Sequence, residues 1–223
     1  MPTPTRFLVF GGTGAIGHHF IEKALSAGHN LTLLARTPSK LPDHVRNHAH
    51  VSIIEGDLSD SAALDRALNS GADVFISFAG PYYSTKGTPI TDCYATFFPR
   101  LAAHNITRAL VLSTPSFPAP ADASSAFWSF GGLTMRLFAK HMMEEMQGVG
   151  RAAQGLPVKS VRWTVFRVGG LKDSEEEGKE VVVTFLGSGK DTMGVTRKSV
   201  AEWVLREAGE ERWVGGCPYI CNP

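Results

Sequence analysis

At 223 residues and 43% hydrophobic, the chain has enough material to bury a core as one domain, with room for a small lobe. Its 22 basic and 21 acidic residues leave a net charge of +1, which supplies no electrostatic footprint for nucleic acid or an anionic membrane. The apolar N-terminal run is short, and no window approaches the ~20 apolar residues of a membrane span, so neither a secretory signal nor a membrane segment is expected and the chain reads as cytoplasmic. Three scattered cysteines, Cys93, Cys217 and Cys221, point to reduced thiols and not to a disulfide framework or a metal site.

The first predicted strand, Arg6–Phe10, runs into "VFGGTGAIGHHF", after which the apolar period becomes helical over Ala15–Ala27. Gly11, Gly14 and Gly17 therefore follow a strand and open a helix, and Gly12, Gly14 and Gly17 satisfy G-x-G-x-x-G. Missing side chains there let backbone N–H groups and the positive helix end approach a pyrophosphate, so Thr13, Ala15 and Ile16 join the three glycines as candidate cofactor contacts. A branched residue at Gly14 is expected to fill that space and to disfavour the backbone angles of the turn. His18 and His19 read as first-turn surface residues.

A second strand, Asn30–Ala35, ends in "TLLARTPSK". An NAD site places an acidic residue near this point to accept from the ribose hydroxyl. The chain offers Arg36 instead, with Ser39 and Lys40 nearby, a set that can grip a 2′-phosphate and favours NADP(H). "DHVRNHAH", carrying His44, His48 and His50, reads as a solvated polar loop. Strand Val51–Glu55, helix Ser61–Asn69, strand Ala72–Phe78 and helix Pro89–His104 follow. Tyr82 and Lys86 have the spacing of a catalytic pair, but Pro81 and Gly87 make "GPYYSTKG" a loop in which that spacing aligns nothing.

The fifth strand, Ala109–Ser113, opens onto "TPSFPAPADASS" and then a long helix, Leu133–Gln154. Phe127, Trp128, Phe130, Leu133 and Leu137 form a stripe read as half core and half apolar lid. Strand Arg162–Val168, the charged loop "LKDSEEEGKE" with its Glu175–Glu177 turn, strand Glu180–Phe185 and helix Ser199–Ala208 complete the chain. Strands apolar on both faces, alternating with helices, define a doubly wound, mostly parallel α/β sheet in one domain, residues 1–223, with a substrate rim from 114–132 and 171–195.

"GGTGAIG", Arg36, "EGDLSD", "SFAG", "VLST" and "WTVFRVGGL" occur in an order that resembles the atypical short-chain dehydrogenase/reductase group, with its NmrA-like proteins and flavin reductase/biliverdin reductase B. The likeness extends to "VTRKSVAEWVL". It implies a Rossmann-type fold and bound NADP(H). It also implies that Asp57 and Leu58 flank the adenine and that Phe78, Ala79 and Gly80 line the cofactor. Ser113 and Thr114 would sit beside the nicotinamide, and Arg167, Val168 and Gly169 would approach it.

The chain departs from that pattern where chemistry would occur. Classical members place a Tyr four residues before a Lys on the helix after the fifth strand, so that the cation eases proton donation by the phenol. "RLFAKHMMEE" supplies Lys140, but Arg136 holds the tyrosine's place. Lys140, Ser113 and Tyr83 are the catalytic candidates, with Lys140 also on the nicotinamide ribose. The expected function is hydride transfer from NADP(H) to a small apolar or aromatic carbonyl, imine, enone or flavin-like acceptor. Two alternatives stay open: a non-catalytic NADP-sensing regulator, and a non-redox isomerase or cyclase that retains the cofactor. A small-molecule substrate is the expected partner, and the sequence carries no sign of oligomeric state.

Overall fold

In a computed structural model, residues 4–173 and 180–223 are described, so the Glu175–Glu177 turn lies outside them. In chain order the elements are β1 (Arg6–Phe10), α1 (Ala15–Ser26), β2 (Asn30–Ala35), α2 (Asp43–Arg46), β3 (Val51–Glu55), α3 (Ser61–Leu68) and β4 (Val74–Ser77). There follow α4 (Pro89–Phe97), β5 (Arg108–Ser113), α5 (Ala126–Phe138), α6 (Lys140–Gln154), β6 (Arg162–Val168) and β7 (Gly170–Lys172). β8 (Val182–Thr184), β9 (Gly194–Thr196), α7 (Arg197–Glu210) and β10 (Tyr219–Cys221) close the chain.

The main sheet has the order β3-β2-β1-β4-β5-β6-β10-β8, parallel throughout except for β8, which pairs antiparallel with β10. β7 and β9 form a separate parallel pair. Both faces of the sheet are covered. On one side Phe10, Phe75, Tyr94, Phe97 and Trp163 pack beneath α3, α4 and α6. On the other, Phe7, Phe20, Phe78, Phe166 and Trp203 pack beneath α1 and α7. This double burial is why β5 is apolar along its length save for its ends. The exception at its start, Arg108, is fully buried and meets the equally buried Glu207 of α7 at 2.9 Å, so its charge is paired within the core.

Because the chain runs outward from β1 to β3 and then crosses back to β4, the carboxyl ends of β1 and β4 flank the point where strand order reverses. Open sheets of this kind bind ligands in that crevice.

Several predicted elements are corrected. The helix expected over Pro89–His104 stops at Phe97, because Pro99 has no N–H for a helical bond, and the chain continues in two short 3-10 turns. The single helix Leu133–Gln154 is two, broken at Ala139 (φ −141°, ψ 38°): α6 lies on the sheet, while α5 begins earlier, at Ala126, and follows its own axis. "DHVRNHAH" contains the helical turn α2, with His44 at 2.7 Å from Glu22 and His50 at 2.9 Å from Asn30. β7, β9 and β10 are short strands without a sequence signal of their own.

Candidate active site

The glycine loop stands at the β1–β4 crevice. Gly11 has φ +77°, and a Cβ on it would come within 2.7 Å of the Phe78 carbonyl carbon and the Ala79 nitrogen. Only glycine allows the turn to sit that close to the end of β4. At Gly17 a Cβ would lie 2.4 Å from the Gly11 carbonyl oxygen, so its absence lets α1 pack onto the loop. Gly14 differs. Its φ of −84° and ψ of 165° suit any residue, and the nearest atom to a Cβ there is Gly11 O at 3.3 Å. The expectation that the turn's angles demand glycine at 14 is thus corrected. Gly14 and Ala15 are the exposed points of the loop, and Gly14 N-caps α1 without offering a side chain to it. The first-turn N–H groups of α1 have no side-chain cap, and with the helix dipole they form a ready anion site. Thr13 is half-buried beside them, and Ile16 contributes backbone only, since its side chain is in the core. His18 and His19 are half-buried rather than surface residues. Burial first, then Lys198, lowers the His19 pKa.

At the neighbouring strand ends, Arg36 follows β2 and Asp57 follows β3, whose last residues pair as Ala35 with Glu55. Arg36, Ser39 and Lys40 are exposed, the latter two in a 3-10 turn. Asp57 accepts from the Ser59 hydroxyl at 2.7 Å and its N–H at 2.8 Å. Those bonds, and more weakly the Arg36 charge, hold its carboxyl below the ordinary range. Leu58 is partly buried against the core.

At the end of β4 the phenyl ring of Phe78 does not line the crevice. It is buried between Phe20 and Phe166, at 5.4 and 6.2 Å between ring centres, because the strand's alternation turns it toward α1. Ala79 donates its N–H to Ser77 Oγ at 3.2 Å, and exposed Gly80 starts the loop to Thr88. Tyr82 and Tyr83 stand out from that loop, both largely exposed. The Tyr83 carbonyl accepts from His141 Nε2 at 3.0 Å, and the two rings meet edge-on at 5.8 Å.

The β5 and β6 ends bring further corrections. Ser113 is fully buried and donates its hydroxyl to the Met146 carbonyl at 2.9 Å, so it is a stay between β5 and α6, with no hydrogen to give a substrate. Thr114 is half-buried, its hydroxyl 2.7 Å from that of Ser116. The Arg167 side chain is engaged inside the protein. Its fully buried guanidinium forms a bidentate pair with Asp122 at 2.6 and 2.7 Å and also donates to the carbonyls of Phe117 and Cys217. Val168 is core, and Gly169 lacks a side chain where a Cβ would strike Met193 O and Tyr219 Oη at 2.5 Å. Lys140, placed at the start of α6 by the break at Ala139, is exposed and reaches Glu144 on its own helix at 3.5 Å. It is a solvated surface lysine in this arrangement.

The rim is nonetheless rigidly built. Asp122 also accepts from the Ala119 and Leu186 N–H groups, tying 114–125 to 185–191. Asp191 accepts from Trp128 Nε1 at 2.5 Å and from the N–H groups of Gly187 and Gly189. Trp128 rests on Tyr219, whereas Phe127, Phe130, Leu133 and Leu137 of α5 are exposed at helical spacing, so the exposed part of that stripe is the larger part. Sequence reading missed Asp122, Asp191 and Glu145. No pattern marks them, since each takes at least one partner distant in the chain: Trp128 for Asp191, Arg167 and Leu186 for Asp122, Ile90 and Thr91 for Glu145. Among the described residues no helix is long and apolar enough to cross a membrane, and no group of three His, Cys, Asp or Glu is placed to hold a metal.

A glycine-bounded, uncapped helix start at the switch point of a parallel sheet defines a dinucleotide-binding protein of Rossmann type. Comparison with known proteins gives the family: the NAD(P)H-binding model matches residues 11–211, and the chain belongs to that family. Among curated relatives, eugenol synthase 1 of Petunia hybrida is 34% identical over 97 residues, 40% of this chain and 31% of that protein. Isoflavone reductase homolog P3 of Arabidopsis thaliana is 36% identical over 83 residues, 34% of this chain and 26% of the relative. The match thus spans about a third or less of those relatives' length. Among solved structures, a short-chain dehydrogenase/reductase of Veillonella parvula in complex with NADP shares the fold with a TM-score of 0.77 at 17% identity, covering 98% of this chain and 95% of that one. ChuY, an anaerobillin reductase of Escherichia coli O157:H7, does so at 0.74 and 16%, covering 98% of each.

Proposed function

We propose that the chain is an NADP(H)-dependent reductase acting on a small apolar or aromatic acceptor. The observation that carries the cofactor choice is the exposed trio Arg36, Ser39 and Lys40 where β2 ends, one strand from the uncapped start of α1. The helix start receives the pyrophosphate, and the guanidinium receives a 2′-phosphate in a charge-assisted fork. When bound, the nicotinamide supplies the hydride. The protein's part is to orient, to exclude water and to deliver a proton. With Ser113 engaged and Lys140 paired to Glu144, we assign proton delivery to Tyr83, exposed at the crevice mouth. The apolar face of α5 forms the acceptor's wall. The presence of an isoflavone reductase homolog among the relatives and of an anaerobillin reductase among the fold neighbours supports this reading.

One observation favours a second reading, an NADP-sensing regulator without turnover: Arg136 holds the place of the helix tyrosine, and Tyr83 is largely exposed. One measurement separates them, and a second tests the cofactor that both share. NADPH oxidation with a panel of quinones, flavins and carbonyls must exceed the rate without acceptor for the reductase reading to stand. Arg36→Ala should weaken NADPH by about 1–3 kcal/mol while leaving NADH unchanged. Equal losses for both cofactors would overturn the assignment of NADP.

A further inference from the structure

Glu145 is a fully buried carboxylate on α6 that the chemistry above does not use. Its Oε1 accepts the N–H of Ile90 at 2.6 Å and its Oε2 that of Thr91 at 3.2 Å, the first free donors of α4 after Pro89. Thr91 Oγ1 donates in turn to the Glu145 carbonyl at 3.1 Å. α4's own N-cap residue, Thr88, makes no side-chain bond to the helix backbone, because its hydroxyl is directed to Asp92 at 3.2 Å. The cap of α4 is therefore supplied by another helix, and the positive end of α4 balances a buried negative charge. The helices approach closely enough that a Cβ at Gly148 would lie 2.3 Å from Thr91 Oγ1.

What this clamp holds is the segment 80–88, which leaves the crevice at Gly80 and ends at α4. Its interior bonds, Tyr82 N–H to Thr85 Oγ1 at 2.9 Å and Thr85 N–H to the Tyr82 carbonyl at 2.9 Å, shape the turn without fixing where it sits. Position comes from α6. His141 holds the Tyr83 carbonyl at 3.0 Å, and Glu145 holds the loop's end. The two are four residues apart, on one face of the same helix.

We propose that Glu145 is a positioning residue of the acceptor side of the site: by capping α4 from α6, with His141 as the outer tether, it sets where Tyr83 stands at the crevice mouth. This rests on the reductase reading for its catalytic consequence, but not for the clamp itself.

Hydrogen exchange of the whole chain, with and without NADP+, tests the clamp. In Glu145→Gln, whose amide NH2 faces one of the two N–H donors, the amides of Tyr82, Thr85, Ile90 and Thr91, the bonded ones in 81–91, should exchange at least tenfold faster. β1 and α1 should keep their protection, and NADPH affinity should stay within about twofold. His141→Ala, which leaves the buried cap intact, should deprotect only 82–85. Unchanged exchange at 81–91 overturns the proposal, as does a uniform loss of protection that includes α1 and abolishes cofactor binding, since that marks a merely structural residue. With an acceptor in hand, Glu145→Gln should lower turnover about tenfold at saturating NADPH, and the double variant with Tyr83→Phe should be no slower than Tyr83→Phe alone; additive losses would overturn the link to Tyr83. If the wild-type protein turns over no acceptor, the reductase reading fails, and the exchange comparison alone decides the clamp.

Discussion

Gly14 and Gly17 belong to one motif, yet the structure separates them, and their substitution separates folding from binding. A Cβ on Gly17 would stand 2.4 Å from Gly11 O and 2.7 Å from the Gly12 Cα, all backbone, so α1 must back away from the loop. Overpacking of that kind costs about 1–3 kcal/mol, and at this chain length each kcal/mol moves the midpoint by roughly 2–4 °C. Gly17→Ala should therefore melt several degrees below wild type. Gly14 is exposed, has ordinary angles, and offers 3.3 Å to the nearest atom. Gly14→Val should cost no more than about 1 kcal/mol, the scale of a poor N-cap. For the cofactor the order reverses. A valine over the start of α1 displaces the pyrophosphate from its N–H donors, and two charged hydrogen bonds at about 1.5–3 kcal/mol each amount to more than a hundredfold in affinity. Thermal unfolding without ligand and NADPH titration by fluorescence measure the two effects on the same proteins. Wild-type affinity in folded Gly14→Val would refute the placement of the pyrophosphate at α1, and a melting loss as large as that of Gly17→Ala would refute the geometric argument.

Asp122→Asn removes the partner of a guanidinium that has no access to water, and should destabilise by about 3 kcal/mol, the low end for breaking a buried pair because Asp122 itself is partly exposed. Burial alone would raise the Asp122 pKa, but the Arg167 bonds and the Ala119 and Leu186 N–H groups outweigh it and the net shift is downward. A depressed folded pKa contributes stability above the unfolded value, and that contribution is lost as pH falls toward the folded one. The stability gap between wild type and variant, followed by urea unfolding, should thus be constant from about pH 5 upward and shrink below about pH 4. Lys140→Met should leave both stability, within about 0.5 kcal/mol, and NADPH affinity unchanged, as for any exposed i,i+4 pair. A hundredfold loss of turnover in that variant would reinstate Lys140 as a catalytic residue.

The fold was legible because its signals are local. Runs apolar on both faces specify buried parallel strands, and β1, β2, β3 and β6 begin and end where those runs do. The glycine spacing marks a strand-to-helix turn from sequence alone, because a positive φ at Gly11 and a helix packed against a carbonyl at Gly17 each exclude a side chain. The place of Arg36, exposed just after β2, was equally visible, since the end of the second strand is a fixed address in such a sheet. What sequence could not decide is which polar residues face the crevice and which are used up inside. Ser113 and Arg167 sit at strand ends where chemistry is expected, but α6 and the 114–125 loop descend on them and take their hydrogen bonds. Glu145 and Asp122 read as ordinary surface acids on a helix and in a loop. They become clamps because backbone N–H groups 54 or more residues away in the chain converge on them. β8 falls inside the expected strand Glu180–Phe185, trimmed to three residues, whereas β10, three residues set between β6 and β8, is too short to announce itself. Local periodicity is set by the residues of one segment, whereas a side chain's role in a site depends on what another segment places opposite it, and that is settled only when the chain closes on itself.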